Sequence, residues 1–179
     1  EKFNITSFNT QVGNVSLTRL TAEQAAWLQQ ANADRATYGA SPLVFDEILE
    51  EGARHWAGYM AANGLYQETC PASDPSCQTA LAYEQSHAGT YTSNGSNIDS
   101  KQPPSTWQSA EADFLAQANN CPPPANAATC PNNAGTSKFL NLVNARFIWV
   151  GLALAPNGRG SVPGSFADYY DAEFGTPYQ

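Results

Sequence analysis

Four cysteines stand out as residues able to do chemistry: Cys70 and Cys77, then Cys121 and Cys130. Each close pair brackets a Pro-containing stretch with little order of its own. Four cysteines allow three connectivities, and local bridges, 70 with 77 and 121 with 130, are expected. A structural zinc site favours tighter spacings, often with His beside them, and neither pair has that. Disulfides imply an oxidising compartment. Three glycosylation sequons, at Asn4, Asn14 and Asn94, agree with an exported surface.

Hydrolysis needs a nucleophile with a base in reach. Serines are plentiful, but no Gly-x-Ser-x-Gly elbow is present. Asp168, Asp171 and Glu173 have the types that paired acid–base work requires. They fall in the alternation of a closing strand, so a solvent-facing edge is the expected setting. His55 lies beside the apolar stripe of a helix and reads as a packed or surface-facing ring. No dinucleotide or phosphate-binding glycine motif is found, and no cofactor is expected.

Hydrophobic residues make up 42% of the 179 and charged residues 13%, enough apolar mass for a core. Eight Lys and Arg against sixteen Asp and Glu give a net charge of −8. That argues against a nucleic-acid groove or a polybasic membrane patch. The most apolar run, Phe147 to Ala155, has strand length, far short of the ~20 residues of a transmembrane helix. The chain opens Glu1-Lys2-Phe3 with no visible signal peptide, so a secretory leader is expected to have been removed.

The elements that must position these groups follow from periodicity. Residues 1–19 read as an extended arm preceding a single domain over 20–179. Thr21 and Gln24 form a capping-box pattern for a helix reaching about Tyr38 and stopped by Gly39. Asp46 caps a second helix with Leu49, Ala53, Trp56, Ala57 and Met60 on one stripe, ended by Asn63-Gly64. Leu81 to Glu84 is expected as a short strand, and 88–104 as a surface loop. A third helix is expected from Ser105, with Gln108 three on, to about Ala118, and a short helical piece from Thr136 to Val143. The run from Phe147 suggests a central strand covered on both faces, and Phe166 to Phe174 its returning partner. Helices first and antiparallel strands last give an α+β sandwich.

With these elements placed, the chain resembles the CAP superfamily of cysteine-rich secretory proteins, antigen 5 and class 1 pathogenesis-related proteins. The resemblance is carried by Asn32 and Arg35 on the first helix, the Pro42-Leu43 turn, the Asp46-capped second helix, and Trp56-Ala57. It continues through Asn141-Leu142 to Gly151 and through Tyr169-Tyr170 to Gly175, covering roughly residues 20–175. It implies a three-layer α-β-α sandwich with a mainly antiparallel sheet, secretion, and a wide cleft. Asn32 and Arg35 are expected to tie helix to loop.

In many members that cleft holds two His and two Glu able to bind a divalent metal. Here the loop Leu65 to Cys70 has no His, and Lys138 stands where the second His is expected. A protonated lysine cannot ligate metal. The two acids map to Glu84 and to Glu111, which lies four residues after Trp107 where the family places its Glu three after. The resemblance thus predicts a cleft without its imidazoles, in which Glu84 and Glu111 are either a pair held by Lys138 or solvated groups. His87, three residues after Glu84, could supply an imidazole to the same cleft. The implied function is a secreted, non-enzymatic protein binding a lipid or sterol ligand, or an extracellular protein partner. The alternative is a carboxylate- or metal-assisted hydrolase in the same cleft. The region that matches the sterol-binding loop of some members, roughly 88–104, is polar here, with Tyr91 and Ile98 its only large apolar residues, which argues against sterol transfer.

Overall fold

A computed structural model of the chain describes residues 20–88, 94–121, 128–133 and 135–176, with the side chains of 87, 88 and 94 excluded. The predicted arm and its sequons at Asn4 and Asn14 lie outside these residues, as do Tyr91 and the side chains of His87 and Asn94. In chain order come α1 (Ala22–Thr37), β1 (Val44–Phe45), α2 (Glu47–Asn63), α3 (Ala80–Ala88) and β2 (Asn94–Lys101). They are followed by α4 (Trp107–Ala116), α5 (Ser137–Val143), β3 (Trp149–Arg159) and β4 (Phe166–Gly175).

The helix starts follow local chemistry. Thr21 and Gln24 close the expected capping box on α1, which satisfies two backbone donors that the first turn cannot pair internally. Asp46 accepts from the Ile48 and Leu49 amides at the head of α2, and Gly64 ends that helix in the left-handed region at φ 66°. The cap of α4 is Thr106, with Ser109 as its reciprocal partner, one residue later than the Ser105 and Gln108 expected. Ser105 instead bonds the Asp168 carboxylate through its hydroxyl and its amide.

The sheet order is β1-β3-β4-β2. β3–β4 and β4–β2 are antiparallel, whereas β1 lies parallel to β3, so the sheet is mixed. Strand parity divides it into two faces. Val150, Leu152, Tyr170, Ala172 and Phe174 pack with Trp27, Trp107 and Phe114 under α1 and α4. On the other face Trp56 and Met60 of α2 meet Ile98, Ala167 and Tyr169. This is the expected α-β-α sandwich.

Three expectations give way. The 81–84 strand is part of α3, where Thr79 accepts from the Ala82 amide through its hydroxyl to start the helix. Within the expected 88–104 loop, residues 94–101 form β2, an edge strand whose ladder to β4 compensates for a sequence with one large apolar residue, Ile98. Asp168, Asp171 and Glu173 are buried at 4%, 0% and 2% exposure, not at a solvent edge. β4 lies between β3 and β2 with helices on both faces, so both of its side-chain rows are covered.

Close approach sets the helix positions. A Cβ on Gly151 would fall inside the Leu49–Glu50 backbone, so α2 rests directly on β3 there. Gly58, on the outer face of the same helix, has nothing within 4 Å of that position.

Arg35, fully buried, gathers the far end of the molecule. Its Nε donates to the Ser41 carbonyl at 2.8 Å, and its two terminal nitrogens donate to the carbonyls of Leu142, Asn144 and Phe147. Asn32 beside it pins Leu43 through both amide and carbonyl. Both disulfides form as expected, Cys70–Cys77 and Cys121–Cys130.

Arg35→Lys keeps the charge but cannot span four carbonyls; it is expected to destabilise by about 1–3 kcal/mol, read as a lower urea midpoint at unchanged slope. Gly151→Ala is expected to cost at least about 1–3 kcal/mol by overpacking. Gly58→Ala on the same helix should stabilise by about 1 kcal/mol, and the pair together separates close approach from helix propensity.

Candidate functional site

The loop between α2 and α3 is fastened to α2 by its own residues. Trp56 Nε1 donates to the Gln67 carbonyl at 3.1 Å, and the Tyr59 hydroxyl to Asp74 at 2.8 Å. The His55 ring contacts the Gln78 carbonyl at 3.0 Å and stacks on Tyr83. His55 is thus a strut between α2 and α3, consistent with its reading as a packed ring. With the Cys70–Cys77 bridge, these contacts hold Glu68 and the start of α3 above the edge of the sheet.

Beneath this loop lies a cavity of about 200 Å³ lined by Trp56, Glu68, Thr79 to Leu81, Gly95, Ser96 and Glu173. Its floor is the ladder of β2 on β4, where Ser96 is in register with Glu173 and Ile98 with Asp171. The Ser96 hydroxyl donates to Asp171 Oδ1 at 3.3 Å.

Asp171 and Glu173, two apart on one strand, share a face. Burial, and after it the charge of Glu173, raises the Asp171 carboxyl well above the usual range. Burial pushes Glu173 up to about 7, against hydrogen bonds from Ser96 and Asp171 and with the charge of Glu68 adding to the rise. The arrangement is a carboxylic acid donating to a carboxylate, one proton between two groups that cannot both ionise cheaply. Asp171 Oδ2 and Glu173 Oε1 are shut off from solvent and accept from no hydroxyl or amide.

Asp168 plays another part. Its oxygens accept from Ser105 and from the Asn157 amide at 2.9 Å. It therefore anchors the irregularity in β3 between Ala155 and Gly158.

The residues that the sequence placed together are separated. Glu84, fully buried on α3, fills the space over Gly52 of α2, and its charge reaches Asp171. Glu111 lies beneath α4 on the opposite face, hydrogen-bonded to Asp34 of α1. Lys138 Nζ donates to the Tyr66 hydroxyl and the Ile98 carbonyl, and sits 5.6 Å from the centre of the Phe114 ring. The lysine thus binds loop to sheet edge and does not hold a Glu84–Glu111 pair. His87 falls in the last turn of α3.

These side chains do not make the divalent-metal set that the resemblance implies. Its second His position is occupied by an ammonium already committed to two oxygens. Among the described residues no three His, Cys, Asp or Glu side chains converge as metal ligands. The residues present do not fit such an ion, and no chemistry is routed through one.

Sequence reasoning missed the Asp171–Glu173 pair as a buried unit, and Ser96 and Trp56 as cavity walls. The available signal was that β4 pairs with a strand that is apolar from Trp149 to Ala155. A strand so placed buries both its rows, acids included.

Glu111 offers a clean titration. Burial, then the charge and hydrogen bond of Asp34, push it up to about 8 from 4.5. Between those values the unfolded chain has released this proton and the folded chain retains it, so stability falls as pH rises through that window. Glu111→Gln is expected to flatten the decline between pH 5 and 8 by on the order of 3 kcal/mol, measured by urea unfolding at the two pH values.

Comparison with known proteins bears on these features together. The model of the cysteine-rich secretory protein family, CAP, matches residues 28–170. No curated protein matches the sequence. Among solved structures, an outer surface protein of Borrelia burgdorferi superposes with a TM-score of 0.61 at 13% identity, over 87% of this chain and 93% of that one. Venom allergen-like protein 4 of Schistosoma mansoni gives 0.55 at 14%, over 89% and 96%. An extracellular protein containing an SCP domain from Bacillus anthracis gives 0.57 at 18%; 88% of this chain is covered, but only 44% of that one. At these identities the likeness is one of fold. The family match over most of the chain, on a sheet flanked by helices and tied by Arg35, shows that this protein belongs to the CAP family.

Proposed function

We propose that this chain is a secreted, non-enzymatic CAP domain that binds a small polar ligand in the cavity beneath the α2–α3 loop. The observation that carries the reading is the cavity itself, a space of about 200 Å³ lined by the Glu173 carboxyl, the Ser96 hydroxyl and Trp56. Ligand sites are concave, largely preformed, and fixed by a few polar groups. The volume is below the ~300 Å³ where drug-sized ligand pockets begin, which favours a small molecule over a sterol. The 94–101 part of the polar 88–104 region is committed to the ladder with β4, which also speaks against a sterol loop. Two disulfides support secretion, because such bonds persist in oxidising compartments.

One observation favours a second reading. A proton shared by Asp171 and Glu173 is the arrangement from which acid–base hydrolysis can run, and that pair borders the cavity. In this reading the chain is a carboxylate-based hydrolase, with Glu173 as the group facing substrate.

A panel of small polar ligands, fatty acids and sterols, followed by thermal shift and titration, separates the two. A saturating small ligand raises stability by about 2.7 kcal/mol at a hundredfold excess over Kd. Leu81→Trp, at the rim, should weaken that binding. Saturable binding without turnover of ester, glycoside or peptide substrates supports the binding reading. Turnover that Glu173→Gln abolishes replaces it with the hydrolase, and sterol binding insensitive to Leu81→Trp moves the site elsewhere.

A further inference from the structure

We infer that the Lys138 ammonium is a built-in cation that takes the place of the family's divalent metal, clasping the α2–α3 loop to the edge of the sheet. The inference does not depend on what the cavity binds. It gives a reason why the side chains present do not fit an ion: the position is already filled.

The first observation is which residues the ammonium joins. The resemblance places one imidazole in the loop after the second helix and the other at Lys138. Here that loop offers Tyr66, whose hydroxyl donates to the Ile98 carbonyl at 3.2 Å. Lys138 Nζ donates to both that hydroxyl and that carbonyl. One cation thus spans the loop, α5 and β2, three stretches far apart in sequence. Its other neighbours are rings: Nζ lies 5.2 Å from the centre of the Tyr66 ring and 5.6 Å from that of Phe114, and a cation is attracted to such π-systems.

The second is how the two sides of the clasp are held. The Lys138 amide donates to Gln117 Oε1, and its carbonyl accepts from Asn97 Nδ2, both at 2.8 Å. The lysine backbone is therefore fixed between the end of α4 and β2, and only the stem reaches outward. The loop is tied to α2 through Leu65, Gln67 and Asp74. Toward the strands, among the described residues, its hydrogen bonds come down to Tyr66.

The third is charge. Burial raises both Glu68 of the loop and Asp99 of β2, and the charge of Lys138 works against that rise in each. Lys101, the other cation of β2, is committed to Asp99 and Asp113. A divalent ion needs deprotonated ligands free to turn toward it; at this place it would meet an ammonium and be repelled. The ammonium supplies three donors and a positive charge, and it does so at any metal concentration.

The test is amide exchange and urea unfolding of the intact chain, each with EDTA and with zinc. Wild type should be indifferent to both additions. Lys138→Met keeps the stem and removes the donors. Peptides covering 65–69 and 96–99 should then exchange roughly tenfold faster, with exchange elsewhere unchanged because the opening is local. Lys138→Arg should restore most of that protection, and Lys101→Met should leave 65–69 as in wild type. A double variant, Tyr66→His with Lys138→His, puts an imidazole in each place, and zinc should raise its urea midpoint. Loss of wild-type stability in EDTA or a zinc-dependent rise in wild type overturns the inference. So does unchanged exchange at 65–69 in Lys138→Met, or a folded double variant that ignores zinc.

Discussion

The guanidinium of Arg35 is the tie on which the arrangement of layers depends. It is fully buried, and it donates to backbone carbonyls rather than to a carboxylate. Burial lowers its pKa to about 10, which leaves it cationic under any physiological condition. Five donors in a rigid fork can serve four carbonyls from three separate stretches of chain. The turn after α1, the end of α5 and the approach to β3 are thereby fixed against one another. None of these stretches has a regular ladder of its own at that point, so the cation takes the place that secondary structure fills elsewhere.

With that end fixed, the opposite face can be built from close approach. Gly151 lets α2 lie on β3 at backbone contact, and Gly52 lets Glu84 of α3 lie against α2. Asn141 reaches from α5 to Ser96 and Asn97, and Asn97 returns a bond to the Lys138 carbonyl. The edge strand β2 is held by these side chains as well as by β4. The cavity opens where α2, the disulfide-bridged loop and β2 meet. It is a by-product of how closely α2 sits on the sheet, and its chemistry comes from which β4 side chains that geometry buries.

The burial of acids on β4 has a thermodynamic character distinct from that of Arg35. The guanidinium is satisfied, and it stabilises because it is satisfied. Asp171, Glu173 and Glu111 each keep a buried oxygen that accepts from no hydroxyl or amide, and burial raises all three. Such groups reduce stability wherever they ionise, and protonation relieves that cost. Glu111 finds Asp34 in a closed interface between helices. Glu173 instead lies against the cavity beneath the α2–α3 loop.

Local chemistry determined much of this in advance. The capping box at Thr21, the Asp46 cap, the stripe from Leu49 to Met60 and the cysteine pairs are short-range patterns, because caps, helical faces and short bridges involve neighbours in sequence. The family-like spacing around Asn32, Arg35 and Gly151 was legible for the same reason. Residues 94–101 were not, since a strand with one large apolar residue is stable only through its partner, and 81–84 is too short for four residues to reveal a helical period. The locations of Glu84, Glu111 and Lys138 were readable, but their company was not. Which carboxylate meets which depends on the face of the sheet each helix covers, and that is decided by long-range packing. The sequence therefore determined the elements and their ends; tertiary structure alone decided which acids were taken out of water, because desolvation belongs to the assembled surroundings and not to the residue.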